Sequence, residues 1–147
     1  MAENPFASYT VEIPKKYADD VKKYCQTAGA KVTHEFAPFK RQVDFWYFAF
    51  VVAVNRELDP TEESETSNIT PGSILSSDPE RISHIQLAYL GKGHSLAELA
   101  NHRAVFDYAL SMANSGIPYV LQLLSDPDDR PLWGLLDDTE ARLSKHN

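Results

Sequence analysis

Apolar residues along this chain recur mostly at three- and four-residue spacing, the period of a helix lying on a core. Tyr17, Val21, Tyr24 and Ala28 line one side of a segment that begins at Lys15, with Ala18 and Cys25 beside them. Lys15, Lys16, Asp19, Lys22 and Lys23 take the opposite side. The pattern predicts an amphipathic helix, opened by Pro14, whose missing N–H costs nothing at the first helical position, and stopped by Gly29. Ahead of it, Ser8-Tyr9-Thr10-Val11-Glu12-Ile13 alternates loosely, as a short strand or an extended lead-in does. Residues 31–40, broken by Pro38, carry no clear period. A second helix is predicted over residues 42–58, ended by Asp59-Pro60; its centre is apolar on every face, as in a helix buried on most sides. The β-branched and aromatic content of residues 50–54 also permits a strand there.

The pattern then lapses. Residues 61–77 hold Glu62, Glu63, Glu65, several Ser and Thr, Pro71 and Gly72, with Ile69, Ile74 and Leu75 as the aliphatics. They predict an acidic loop with the composition of a mobile one. A third helix starts at Asp78 as N-cap with Pro79 in its first turn, carries Ile82, Ile85, Ala88 and Tyr89 on one stripe, and ends at Gly91-Lys92-Gly93. Ser95-Leu96-Ala97-Glu98 is a capping box, in which serine hydroxyl and glutamate carboxylate each take a free backbone N–H. The fourth helix it opens places Leu96, Leu99, Phe106, Leu110 and Ala113 on one side and closes at Asn114-Ser115-Gly116. Pro118 opens a shorter helix through Leu124. Residues 126–131 read as an acidic turn, Leu132-Trp133-Gly134-Leu135-Leu136 as a segment that docks on the core, and 137–147 as a polar tail. The expected fold is mostly α, a single domain over 1–147 of about five helices with a short N-terminal strand.

Composition narrows the class without naming a reaction. At 147 residues the chain fits one domain able to bury roughly two-thirds of its unfolded surface. The formal charge is -7, from 14 basic and 21 acidic residues, which argues against a nucleic-acid coat or a polybasic membrane binder. The excess lies late: residues 1–60 carry 8 of each sign, residues 61–147 carry 6 basic and 13 acidic. One cysteine, Cys25, excludes an intrachain disulfide. Met1-Ala2-Glu3-Asn4-Pro5-Phe6 has no basic segment followed by an apolar one, and the longest apolar run, residues 45–54, is half of what a membrane span needs. The expectation is a cytoplasmic protein, for which the Asn68-Ile69-Thr70 glycosylation pattern carries no weight.

Candidate chemistry is sparse. His34, His84, His94, His102 and His146 show no metal-ligand spacing and read as surface or capping residues. Cys25, on the apolar side of its helix, reads as a small buried hydrophobe rather than a nucleophile. Gly91-Lys92-Gly93-His94-Ser95 lacks the phosphate-loop pattern, although a helix N-terminus at Ser95 offers anions what every such terminus does. Asp126, Asp128 and Asp129 lack the glycine and last glutamate of a calcium loop. Glu62-Glu63-Ser64-Glu65 reads as a solvated loop. No catalytic residue, metal or cofactor is expected. Lys15, Lys16, Lys22 and Lys23, following the strand-like Tyr9-Thr10-Val11-Glu12-Ile13-Pro14, resemble the first half of a ribbon-helix-helix unit, a dimer whose paired strands read the DNA major groove. A solvated helix face accounts for the same lysines.

Two stretches carry a further resemblance: Phe39-Lys40-Arg41-Gln42-Val43-Asp44-Phe45-Trp46-Tyr47-Phe48-Ala49-Phe50 and Phe106-Asp107-Tyr108-Ala109-Leu110-Ser111-Met112-Ala113-Asn114-Ser115-Gly116. They resemble a family of small accessory proteins that accompany bacterial DNA-phosphorothioation (Dnd-type) defence systems. In that family a phenylalanine-led stretch enters a helix of the form Asp-x-x-x-Phe-Ala, and a late helix ends in an Ala-Asn-x-Gly turn. The chain departs where Asn55-Arg56-Glu57 stand in place of a prompt glycine. The resemblance implies a cytoplasmic accessory to a DNA-modification or restriction machine, with no catalytic residues to carry over. The expected function is therefore a non-enzymatic interaction protein whose partners are larger subunits of such an assembly, with a homodimer left open and no membrane partner. Leu132, Trp133, Leu135 and Leu136 are the expected partner contact, since a tryptophan flanked by leucines suits a hot spot. The alternative is a dimeric DNA-binding protein using the N-terminal strand and the lysine face, which the charge balance disfavours.

Overall fold

Two helices that the sequence makes apolar on broad faces form the centre of the protein. In the computed structural model, which describes residues 4–26 and 37–125, helix α2 (Gln42–Asn55) buries Val43, Phe45, Trp46, Ala49, Phe50, Val52 and Ala53. Helix α4 (His102–Leu124) packs along it and buries Val105, Phe106, Ala109, Met112, Ala113, Ile117, Val120 and Leu124. Small residues set their distance. A Cβ built on Gly116 would lie 1.9 Å from the Ala49 carbonyl oxygen, so the two backbones touch at a point where only hydrogen fits. Nearer the start of α4 the rings of Phe6, Tyr9 and Trp46 gather on Phe106, with centroids 5.3, 5.4 and 6.2 Å away.

The rest of the fold wraps this pair. Strand β1 (Thr10–Pro14) leads through a 3-10 turn (Lys15–Tyr17) into the short helix α1 (Ala18–Lys23). After α2 come strand β2 (Thr66–Pro71), a 3-10 turn (Gly72–Ser77), helix α3 (Pro79–Gly91) and a 3-10 turn (Leu96–Ala100) that precedes α4. The protein is mostly α with a two-stranded antiparallel sheet, as the periodicity predicts. β1 pairs with β2 from Thr10 opposite Pro71 to Pro14 opposite Thr66, with a register shift between Val11 and Glu12. Val11 and Ile13 point into the core. Gly72 lies under the preceding turn, where its N–H donates to the Tyr9 carbonyl at 2.7 Å and a Cβ would meet the Phe6 oxygen at 2.0 Å.

Five expectations are corrected. Residues 61–77 are not a loop throughout: Thr66, Ile69 and Thr70, β-branched and half-buried, pair with β1 because that strand's polar groups need a partner. The first helix does not reach Gly29, since α1 ends at Lys23 and the Tyr24–Gln26 backbone turns to Phe39 instead. The Phe39 N–H donates to the Tyr24 carbonyl at 3.2 Å and the Gln26 N–H to the Phe39 carbonyl at 2.8 Å. The late helices are one. α4 runs 23 residues through Gly116 and Pro118, because burial of Ile117, Val120 and Leu124 outweighs the roughly 1 and 3 kcal/mol those residues cost a helix interior. It starts at His102, capped by the Asn101 side chain accepting from the Ala104 N–H at 3.1 Å, while the Ser95 box caps only the 3-10 turn. Finally, Asp78 stands at the N-cap of α3 without capping it; its carboxylate is held by Arg41 at 3.3 Å.

The ribbon-helix-helix arrangement is also not what the chain builds. Such a unit pairs its strand across a dimer, whereas β1 is paired within the chain and α1 has 6 residues. The expectations that fall on Ala28, Gly29, His34, residues 126–131, Leu132, Trp133, Leu135, Leu136, the 137–147 tail and His146 lie outside the described residues.

Candidate functional site

Residues 59–63 cross the outer face of α4 and are fastened there by hydrogen bonds. The Thr61 N–H donates to the Ser111 carbonyl at 3.0 Å, and the Thr61 and Ser115 hydroxyls meet at 2.8 Å. Ser115 also donates to the Asp59 carbonyl. Asn114, only 8% exposed, points its amide nitrogen at the Thr61 carbonyl at 2.9 Å. A carbonyl only accepts, so this contact fixes which end of the amide is nitrogen and leaves Oδ1 as an acceptor with no partner among the described residues.

The facing wall comes from the end of α3. Gly93 takes a left-handed conformation (φ 96°) that brings the chain back, and the His94 ring lies flat on Tyr89, centroids 3.8 Å apart and planes within 3°. Tyr108 meets Tyr89 edge-on at 5.6 Å. His94 Nδ1 lies 2.9 Å from Glu98 Oε2, so the proton is on Nδ1. Glu98 is itself fixed by the capping box, accepting the Ser95 N–H at 2.9 Å. That backbone hydrogen bond first, and His94 second, hold its carboxyl below the usual carboxylate range.

Between these walls is a cleft of about 430 Å³, within the size range of small-ligand sites. Glu62, Glu63 and Asp107 bring carboxylates to its rim. Glu63 pairs with Lys16 at 3.1 Å and Asp107 with Arg103 at 3.1 Å; Glu62 has no ion pair among the described residues. The Tyr108 hydroxyl is buried with no hydrogen bond among them, and burial raises its pKa.

A second polar cluster ties the first turns of α2 and α3. Asp44 accepts the Arg41 N–H at 3.0 Å and the Arg41 guanidinium at 2.9 Å, and pairs with Arg81 at 3.1 Å. The Arg81 guanidinium lies 4.6 Å over the Tyr47 ring, and the Tyr47 hydroxyl is hydrogen-bonded to His84 Nδ1. Burial raises the Tyr47 pKa, against the field of Arg81. Its charges pair off internally, which makes it a structural tie. A slightly smaller cleft of about 380 Å³ lies between α1 and the end of α4, lined by Tyr17, Tyr24, Pro118 and Leu121 among others.

The sequence-predicted residues fare unevenly. Cys25 is buried, donates to the Val21 carbonyl at 3.2 Å, and its thiol is pushed up to about 12, by burial and then by the Asp44 charge. It is a core residue, as its place on the apolar face predicts. Lys15, Lys16, Lys22 and Lys23 are exposed, but Asp19 and Asp20 stand among them and Lys16 is bound to Glu63. They form no concentrated positive face. Sequence reading sets Glu62, Glu63 and His94 down as solvated and misses Tyr89, Tyr108 and Asn114. The available signal was Asn114, a polar residue on the same helical stripe as Val105, Phe106, Ala109, Ala113 and Ile117. Among the described residues no group of three or more His, Cys, Asp or Glu is placed to hold a metal ion, and no helix is long and apolar enough to cross a membrane.

Compared with protein-family models, curated proteins and solved structures, the chain matches none of them.

Proposed function

We propose that this chain is a cytoplasmic, non-catalytic accessory protein that docks on a larger protein subunit of a bacterial DNA-modification or anti-phage defence assembly. The observation that carries the docking is a pair of leucines. Leu87 on α3 is 65% exposed and Leu96, in the 3-10 turn that packs against α3, is 75% exposed; they are the exposed large apolar side chains among the described residues. Covering a leucine side chain stabilises by about 1.5–3 kcal/mol, so two of them supply a factor of roughly 10² or more in affinity. The assembly is the one that the two stretches described above resemble. In the fold these stretches are most of α2 with its lead-in and the middle half of α4, the pair packed at the centre of the fold.

The test is capture of partners by the tagged full chain from its host, with and without nuclease, read by mass spectrometry beside Leu87→Ser/Leu96→Ser. Both leucines face solvent, so the double variant keeps the fold. The expected result is a DNA-modification or restriction subunit that survives nuclease and is lost with the double variant. Capture that vanishes with nuclease, or that the double variant retains in full, overturns the reading.

A further inference from the structure

We propose that the groove between α1 and the end of α4 is the seat of this chain's own segment Leu132-Trp133-Gly134-Leu135-Leu136, with Trp133 filling it. The inference does not depend on the accessory reading. The groove, about 380 Å³, takes Tyr17 and Tyr24 from one side and Pro118 and Leu121 from the other. Tyr17, Pro118 and Leu121 are half-buried and Tyr24 is 6% exposed, so the lining is apolar and held by the core beneath it. Tyrosine rings and a proline are surfaces on which an indole packs closely, and an aromatic side chain gains about 150–250 Å² of burial by doing so. The volume suits one such side chain with a neighbouring leucine, being close to the roughly 300 Å³ at which small-ligand sites begin.

Place, reach and charge choose this occupant. The described residues end at Ser125, which is itself in the wall of the groove, and 22 residues of the chain follow it. Leu121 and Pro118 stand four and seven residues before Ser125, about 6 and 10 Å back along the helix axis. Residues 126–131 can span about 20 Å when extended, so they bring Leu132 and Trp133 back to the groove with length to spare. On the α1 side Lys15, Lys16, Lys22 and Lys23 outnumber Asp19 and Asp20, and Lys23 lines the groove. The segment is flanked by Asp126, Asp128, Asp129, Asp137 and Asp138 against Arg130. Residues 61–125, by contrast, carry 7 acidic and 3 basic side chains. An acidic-flanked segment is therefore repelled from the α3 side of the protein and attracted to α1.

The experiment uses the isotope-labelled full chain in solution. Cross-relaxation is expected between the Trp133 indole and the Tyr17 or Tyr24 ring and Leu121 methyls, unchanged on dilution. Trp133→Ser should shift the amides of Tyr17, Lys23, Tyr24, Leu121 and Ser125 and leave those of α2 in place. Trp46 is fully buried, so quenching of tryptophan emission by acrylamide reports Trp133, and the constant should fall below that of free N-acetyltryptophanamide. Lys22→Glu/Lys23→Glu, both exposed, should lower the ratio of seated to free segment about three- to tenfold and raise the quenching constant. Lys92→Glu/Arg103→Glu changes the net charge equally, with Arg103 at the opposite end of α4, and should leave the constant unchanged. Cross-relaxation that is lost on dilution, or that runs between differently labelled copies, assigns the groove to a second copy's segment and overturns the proposal. Trp133 quenched as freely as the free indole, contacts of Trp133 elsewhere on the fold, or equal effects of the two charge variants overturn it too.

Discussion

A single hydrogen decides how near α2 and α4 come. Gly116 stands where a methyl group would lie 1.9 Å from the Ala49 oxygen and 2.7 Å from its carbon, atoms of a helix backbone that cannot turn aside. Gly116→Ala is therefore expected to force the helices apart, at the upper end of the 1–3 kcal/mol typical of overpacking, or about 3 kcal/mol. Gly91, the last residue of α3, has open space around its missing Cβ and a negative φ. Gly91→Ala should be neutral or stabilise by up to about 1 kcal/mol. Urea unfolding of both variants checks the pair, and equal effects would show that the helices are not in backbone contact.

At the scale of elements, α2 and α3 are joined through Asp44. Burial pushes its carboxyl up, but hydrogen bonds and charge from Arg41 and Arg81 outweigh that and hold it below the usual range. A carboxylate whose folded pKa is depressed contributes stability above its unfolded value, about 3.9, and loses it as pH falls through the folded one. Asp44→Asn should thus lower the melting temperature at pH 7, and the gap to the native chain should close below about pH 4. A gap that stays constant into acid would remove the carboxylate from the account. The elements themselves were unequally legible. α2 and α3 showed because fourteen and thirteen residues of consistent pattern, with Pro79 at one start, leave few alternatives. β2 was hidden because Thr66-Ser67-Asn68-Ile69-Thr70 has one aliphatic, and its pairing is settled by β1, over fifty residues away. α4 was divided in two because Asn114-Ser115-Gly116 and Pro118 are local breakers that only tertiary burial overrules. α1 was overextended because its apolar spacing continues past the point where Phe39 takes over the backbone.

For the whole molecule, stability should be graded outward from the α2–α4 contact. Amides of Ala49, Phe50, Ala53, Ala109, Met112 and Ala113, all on fully or nearly fully buried side chains, should exchange hydrogen only through global unfolding. Those of β2, half-exposed along its length, should exchange faster. Hydrogen exchange under native conditions checks the order, and protection of β2 equal to that of α2 would mean a single cooperative unit. The cleft belongs to this scale as well, which is why the sequence did not show it. Glu62, Glu63, His94, Tyr108 and Asn114 come from three separate segments, and none has a local pattern that distinguishes it from a solvated or core residue.

The pairing of β1 with β2 also has a consequence in time. During synthesis β1 leaves the ribosome well before its partner: Pro14 waits for Thr66 and Thr10 for Pro71. At about 5–20 residues per second, that interval is roughly three to twelve seconds. Through it Val11 and Ile13 have neither a ladder nor a core to enter, since α4 emerges later still. The N-terminal segment of the nascent chain is therefore a natural client for whatever shields apolar strands at the tunnel exit, until the last helix arrives to enclose it.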